Sequence, residues 1–126
     1  MKEYSSNSEL QDKIANGVNK LADYVSSTLG PGGRNVILKN KDRTPIITKD
    51  GVTVANFIEF KDPFEDAGAK IVQQASNRTN VECGDGTTTT AVLSRELLNV
   101  SRKYIHSGYY PKEIKRGMDC AVEKIN

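Results

Sequence analysis

The chain has 126 residues, 37% hydrophobic and 27% charged with no Trp, which fits one globular domain or a piece of a larger one. Its net charge of +2 is spread along the chain, too weak to mark nucleic acid or an anionic membrane as a partner. No apolar run approaches the ~18 residues of a transmembrane helix, and the opening MKEYSSNSEL lacks the apolar core of a signal peptide.

Ser8 and Gln11 have the spacing of a capping box. Behind them Leu10, Ile14, Val18, Leu21, Val25 and Leu29 recur at helical steps, which predicts a helix of about five turns with one apolar stripe. Gly30 is placed to end it, and Pro31 forbids continuation. NVILK and TPIIT, separated by NKDR, predict a small hairpin at about 35–48, with Pro45 making its second arm an edge strand or a late starter. KDG then reads as a tight turn, and VTVANFIEF as a short helix. Asp62-Pro63 is an N-cap and N1 pair for a further helix, striped by Phe64, Ala67, Gly68, Ile71, Val72 and Ala75. NRTNVECGDG reads as a polar loop. A helix follows from about Thr87, with Val92, Leu93, Leu97, Val100 and Tyr104 on its stripe and Gly108 at its end. Pro111 opens the last helix, with Ile114, Met118, Ala121, Val122 and Ile125 at helical spacing. That stripe is still strong at Ile125, which points to a piece of a longer protein, and an isolated piece is expected to expose its stripes.

Cys83 and Cys120 lie far apart without a CxxC, favouring free thiols in a reducing, cytoplasmic setting over disulfides or a zinc site. Cys83 has no basic activator, and His106, the only histidine, falls in the last turn of a helix, where the dipole stabilises it at the surface. Neither GxxxxGK[ST] nor GxGxxG occurs, so this is no Walker-type loop or dinucleotide fingerprint.

Three glycine-bearing turns carry the chemistry: TLGPGG at 28–33, TKDG at 48–51 and GDGTTTT at 84–90. In the third, a helix start offers unpaired N–H groups and the positive end of the dipole. Gly86 permits close approach and the threonines add uncharged donors, which is how a helix start holds phosphate oxygens. Asp85 would repel that phosphate unless a hard cation such as Mg²⁺ lies between. The plainer alternative is that Asp85 caps the helix and the threonines cover its surface. Taken singly, LGPGG is also an ordinary helix stop, and Asp50 an ordinary turn residue.

In this order and at these separations, TLGPGGRNVIL, TPIITKDGVTVA and GDGTTTT resemble the N-terminal part of the GroEL-type (group I) chaperonins, and GYYPKEIKRGMDCAVEKI is similar to the helix that follows there. The resemblance runs from about Asp12 to the end. It implies a mainly α fold: residues 1–126 as the first half of the equatorial, ATP-binding domain, without intermediate, apical or C-terminal equatorial parts. It implies ATP/ADP, Mg²⁺ and K⁺ as cofactors. Thr28, Leu29, Gly30 and Pro31 would line the pocket near the phosphates. Asp85 would hold Mg²⁺, while Gly86, Thr87, Thr88 and Thr89 receive phosphate. Asp50, between Lys49 and Gly51, would position the attacking water, and K⁺ would sit near Thr28, Lys49 and Thr88. The implied partners are further subunits in a homo-oligomeric ring, with unfolded proteins and a co-chaperonin engaged through the absent domains, so the 126 residues alone are expected to lack full ATPase and folding activity. The alternative is a truncated interaction module that docks on full-length subunits and modulates ring assembly. Three features depart from the family: Gly32 replaces a usual lysine, Thr90 replaces a small apolar residue, and MKEYSSNSE lacks the pattern of the N-terminal intersubunit strand.

Overall fold

A computed structural model of the protein describes residues 7–28, 35–39, 44–48 and 50–126. The elements are α1 (Asn7–Ser26), β1 (Val36–Leu38), β2 (Ile46–Thr48), α2 (Gly51–Phe57), α3 (Pro63–Cys83), α4 (Thr87–His106) and α5 (Pro111–Ile125). The architecture is mainly α with one small hairpin, as expected. The chain divides into two compact units, Met1–Arg95 and Glu96–Asn126.

The first unit is organised by α1 against α3. α1 buries Ala15, Val18, Leu21, Ala22 and Val25, so the four-residue stripe holds, widened by alanines that let the partner come close. The closest approach is made by two glycines. A Cβ on Gly17 would lie 1.8 Å from the Glu65 carbonyl oxygen, and one on Gly68 would lie 2.2 Å from that of Ile14. The helices therefore touch backbone to backbone, and in opposite senses. This shifts the buried face of α3 away from the expected stripe: Gly68, Ala69, Val72, Gln73 and Ser76 are buried, whereas Ile71 is exposed. At these two positions there is no room for any side chain.

The start of α3 is held by charge and capping. Asp62 Oδ1 accepts from the N–H groups of Phe64 at 2.8 Å and Glu65 at 3.2 Å, with Pro63 at the first helical position. Phe60 N–H donates to Asp66 Oδ1 at 3.1 Å, and Lys20 Nζ donates to Glu65 Oε1 at 2.9 Å. The Glu65 N–H hydrogen bond, aided by that of Phe64 and by Lys13, holds the Asp62 carboxyl below its ordinary value against the opposing effect of burial. Since the folded value is the lowered one, this contribution is present above the unfolded value of about 4 and is lost as pH falls through the folded one.

α3 runs on to Cys83, so residues 77–83 are helix and not the polar loop expected. An Arg78–Glu82 pair at i,i+4 and a Thr79 hydroxyl bonded to the Ala75 carbonyl support that last stretch. It stops only at Gly84, whose left-handed backbone (φ 73°) returns its N–H to Asn80 O. The two strands pair antiparallel, with Ile37 opposite Ile47 and Leu38 opposite Ile46. β2 begins directly after Pro45, which lacks the N–H a ladder would need. The NKDR turn and residues 1–6 lie outside the described residues, while the last three of MKEYSSNSE already belong to α1. α2 forms as expected, capped by Asp50, and Gln73 Nε2 donates to the carbonyls of Ala55 and Ile58 near its end.

Within the second unit, α5 opens at Pro111 and buries no residue. Gly108 (φ 105°) turns the chain between the helices, and Tyr104 packs edge-to-face on Tyr109, centroids 5.4 Å apart. Leu97, Val100, Tyr104, Met118, Val122 and Ile125 are exposed, which is the outcome expected of unpartnered stripes. No described helix is long and apolar enough to cross a membrane.

The glycine crossing predicts an asymmetry that urea unfolding measures. Gly17→Ala costs about 1–3 kcal/mol by overpacking. Gly117→Ala, in open space on α5, gains up to about 1 kcal/mol from helix propensity. Equal effects at the two sites would contradict the crossing.

Candidate functional site

Three segments meet at one cleft of about 340 Å³, entirely within the first unit. It is lined by Thr28, by Asp50, Gly51 and Val52, and by Asn80 with residues 84–89. The ends of α1 and α3 and the starts of α2 and α4 thus converge. Of the residues expected at a site, Thr28, Asp50, Gly51, Asp85, Gly86, Thr87, Thr88 and Thr89 line this cleft. Leu29, Gly30, Pro31 and Lys49, like the departure at Gly32, lie outside the described residues.

Local chemistry fixes each wall. Gly84 and Gly86 both have positive φ, 73° and 91°, a conformation that L side chains rarely adopt. They reverse the chain within three residues, so α4 begins where α3 ends. Gly86 O accepts from Thr90 N–H at 2.8 Å, which makes Gly86 the N-cap. Having no side chain, it leaves the first-turn N–H groups uncapped from that position. Asp85 does not cap them either: its Oδ1 accepts from the adjacent Gly86 N–H at 2.7 Å. Asp85 is exposed, and its Oδ2 has no protein partner among the described residues.

Asp50 is more constrained. Its Oδ1 accepts from Val52 N–H at 3.3 Å and its Oδ2 from the Thr53 hydroxyl at 2.7 Å, while its own N–H donates to Thr48 Oγ1 at 3.0 Å. The carboxylate is held at the cleft by capping α2, and each oxygen keeps a lone pair for a further donor. Gly51 is buried against Thr88, where a Cβ would fall 2.1 Å from Thr88 Oγ1. Thr28 Oγ1 lies 3.4 Å from Thr88 Oγ1 and donates to Val25 O at 2.7 Å. The first, second and third loops are thereby joined at Thr28, Gly51 and Thr88.

The most informative atom is Thr87 Oγ1. Thr87 is 5% exposed, yet among the described residues its hydroxyl has no hydrogen-bond partner. A buried, partnerless hydroxyl costs stability unless something else accepts or donates to it. Sitting at the first residue of a helix and lining the cleft, it is suited to the oxygen of an anion. Among the described residues no three His, Cys, Asp or Glu side chains gather to hold a metal by themselves. A cation here would take its ligands from a carboxylate and from the anion, the arrangement that suits Mg²⁺. The donor set therefore fits a phosphate with a hard cation.

Sequence reasoning missed Val52, Asn80 and Gly84 in the lining, and the buried hydroxyls behind it. Ser76 Oγ donates to Thr87 O at 3.1 Å. The signal was present as polar residues Gln73, Ser76, Asn77 and Asn80 at helical spacing, which mark a polar face turned inward. A larger hollow of about 630 Å³, lined by Tyr24, Leu38, Phe57 and Phe60 among others, also lies in the first unit. Its lining includes none of the three glycine turns and no helix start.

Thr87→Val separates strain from packing. The isosteric change removes an unsatisfied group, so the ligand-free protein keeps its stability or gains up to about 1 kcal/mol in urea unfolding. A clear loss of stability would mean that the hydroxyl is satisfied within the protein.

The sequence model of the TCP-1/cpn60 chaperonin family matches residues 21–126 of the chain. The match begins within α1 and spans all three segments of the cleft.

Proposed function

Because the chain belongs to the TCP-1/cpn60 chaperonin family, we propose that its cleft receives the phosphate end of ATP with Mg²⁺. The protein is then a nucleotide-binding segment of a GroEL-type, ring-forming, cytoplasmic chaperonin, corresponding to the first half of the equatorial domain, in which ATP binding and hydrolysis drive assisted protein folding. The observation that carries this reading is the Thr87 hydroxyl, without a partner among the described residues, in a cleft where Thr28, the turn of Asp50 and Gly51, and residues 84–89 converge.

Each residue has a role in that reading. Asp85 would hold Mg²⁺ through the oxygen not engaged by Gly86 N–H, and the ion would supply positive charge to offset that of the carboxylates and phosphates. The N–H groups at the start of α4 and the hydroxyls of Thr87, Thr88 and Thr89 bind phosphate oxygens. Asp50, fixed by its cap bonds to Val52 and Thr53, orients a water by accepting its hydrogen. Thr28 and Thr88, with Lys49, offer oxygens to K⁺. Leu29, Gly30 and Pro31 complete the phosphate loop. The described lining holds small polar groups and Val52, with no aromatic surface for a base. The phosphate end is therefore what these residues recognise.

Two carboxylates beside an anion make binding dependent on the cation. In titration calorimetry Mg²⁺–ATP binds, and EDTA weakens binding at least about tenfold, on the scale of one unscreened charge contact. Asp85→Ala removes the Mg²⁺ dependence. Asp50→Ala keeps affinity, because its role is with water. The 126-residue chain turns over no appreciable ATP. Binding that is equal with and without Mg²⁺ would overturn the cation assignment, and robust Asp50-dependent turnover would overturn the expected inactivity of this chain.

A further inference from the structure

The fourth threonine of GDGTTTT lies behind the cleft and does not line it. Its hydroxyl is 2.8 Å from Gly86 O and 3.0 Å from Thr79 Oγ1 on α3. Thr79 Oγ1 in turn is 3.0 Å from Ala75 O, and its methyl carbon would lie 3.3 Å from a Cβ on Gly86. The Gly86 carbonyl also accepts the Thr90 N–H at 2.8 Å. It is therefore held by the Thr90 N–H, while the single Thr90 hydroxyl proton is shared between that carbonyl and Thr79 Oγ1 on the neighbouring helix, which itself donates to Ala75 O.

The consequence follows from peptide planarity. The carbonyl of Gly86 and the N–H of Thr87 belong to one trans unit and point in opposite directions. Fixing the carbonyl back along α4 aims the Thr87 N–H out of the helix start, where the cleft lies. A glycine at φ 91° is the residue most able to let that plane rotate. Without a second restraint the donor would be free to swing, and ordering it on binding would weaken affinity.

We propose that Thr90 and Thr79 form a positioning pair that locks the Gly86–Thr87 peptide with its N–H toward the bound phosphate and so sets the anion affinity of the cleft. This rests on the reading of the cleft as a Mg²⁺–ATP phosphate site. Neither residue touches the ligand. Their effect passes through the orientation of one peptide.

The test is calorimetric titration of the full chain with Mg²⁺–ATP and, separately, Mg²⁺–tripolyphosphate, at a temperature where circular dichroism shows every variant folded. Thr90→Val weakens both ligands about 3- to 10-fold, the effect of one hydrogen bond. Thr90→Ser, which keeps the hydroxyl, stays within about twofold of the parent. Thr79→Val weakens binding like Thr90→Val, and the double variant loses no more than either single one. Should Thr90→Val fail to fold, Thr79→Val against the parent carries the same comparison. Unchanged affinity in both valine variants, or additive losses in the double one, would overturn the pair while Asp85→Ala still abolishes Mg²⁺-dependent binding. Absence of Mg²⁺–ATP binding by the parent chain would overturn the pair together with the ATP reading.

Discussion

The contact on which the molecule depends is the meeting of two backbones, α1 and α3, at Gly17 and Gly68. No side chain separates the helices there, so their distance is set by main-chain atoms and cannot drift with rotamers. Close approach brings the small residues Ala15, Ala22 and Ala69 into the core beside Leu21, Val25 and Val72 and leaves no room for a side chain at the two glycines themselves. The inward surface of α3 then continues as a polar stripe. Gln73 holds the carbonyls that close α2, Ser76 reaches Thr87 O, and Thr79 meets Thr90. One helix, placed by two glycines, thereby holds the end of α2 and the start of α4, two of the elements that carry the cleft.

The cleft is an electrostatic compromise. Asp50 and Asp85 both line it, and a helix start with uncapped N–H groups lies between. The helix end favours an anion while the carboxylates disfavour it, a conflict that the proposed cation would relieve. The unpaired Thr87 hydroxyl belongs to the same pattern. Natural cores satisfy most such atoms, so one without a partner among the described residues, beside a cleft, is what the proposed anion would engage.

Much of this was legible in the sequence because it is written in local punctuation. Asp62-Pro63, Pro111 and the Asp-Gly turns begin or end elements where the structure has them, since caps and turns depend on neighbours a few residues away. The turn residues that meet at the cleft were likewise recognisable, from Thr28 through Asp50 to Thr89. What lay beyond reach was long-range. The polar run NRTNVEC reads as a loop, yet it is helix, because Arg78–Glu82 and Thr79 to Ala75 sustain the ladder until a left-handed glycine breaks it. Ile71 looked like a core residue and is exposed, because the glycine crossing, a property of two helices together, rotates the buried face toward Gly68 and Val72. Thr90 had no visible role until Thr79, 11 positions away, was seen beside it.

The central claim is that the turns at Thr28, at Asp50 and at residues 84–89 make one phosphate and metal site. Its most direct test is nuclear magnetic resonance with Mn²⁺ in place of Mg²⁺, added with ATP to the full chain. Paramagnetic broadening concentrated on the amides of Thr28, Gly51, Val52 and residues 85–88, with that of Ala15 far less affected, is the predicted result. Broadening confined to one of the three turns, or centred outside them, would contradict it.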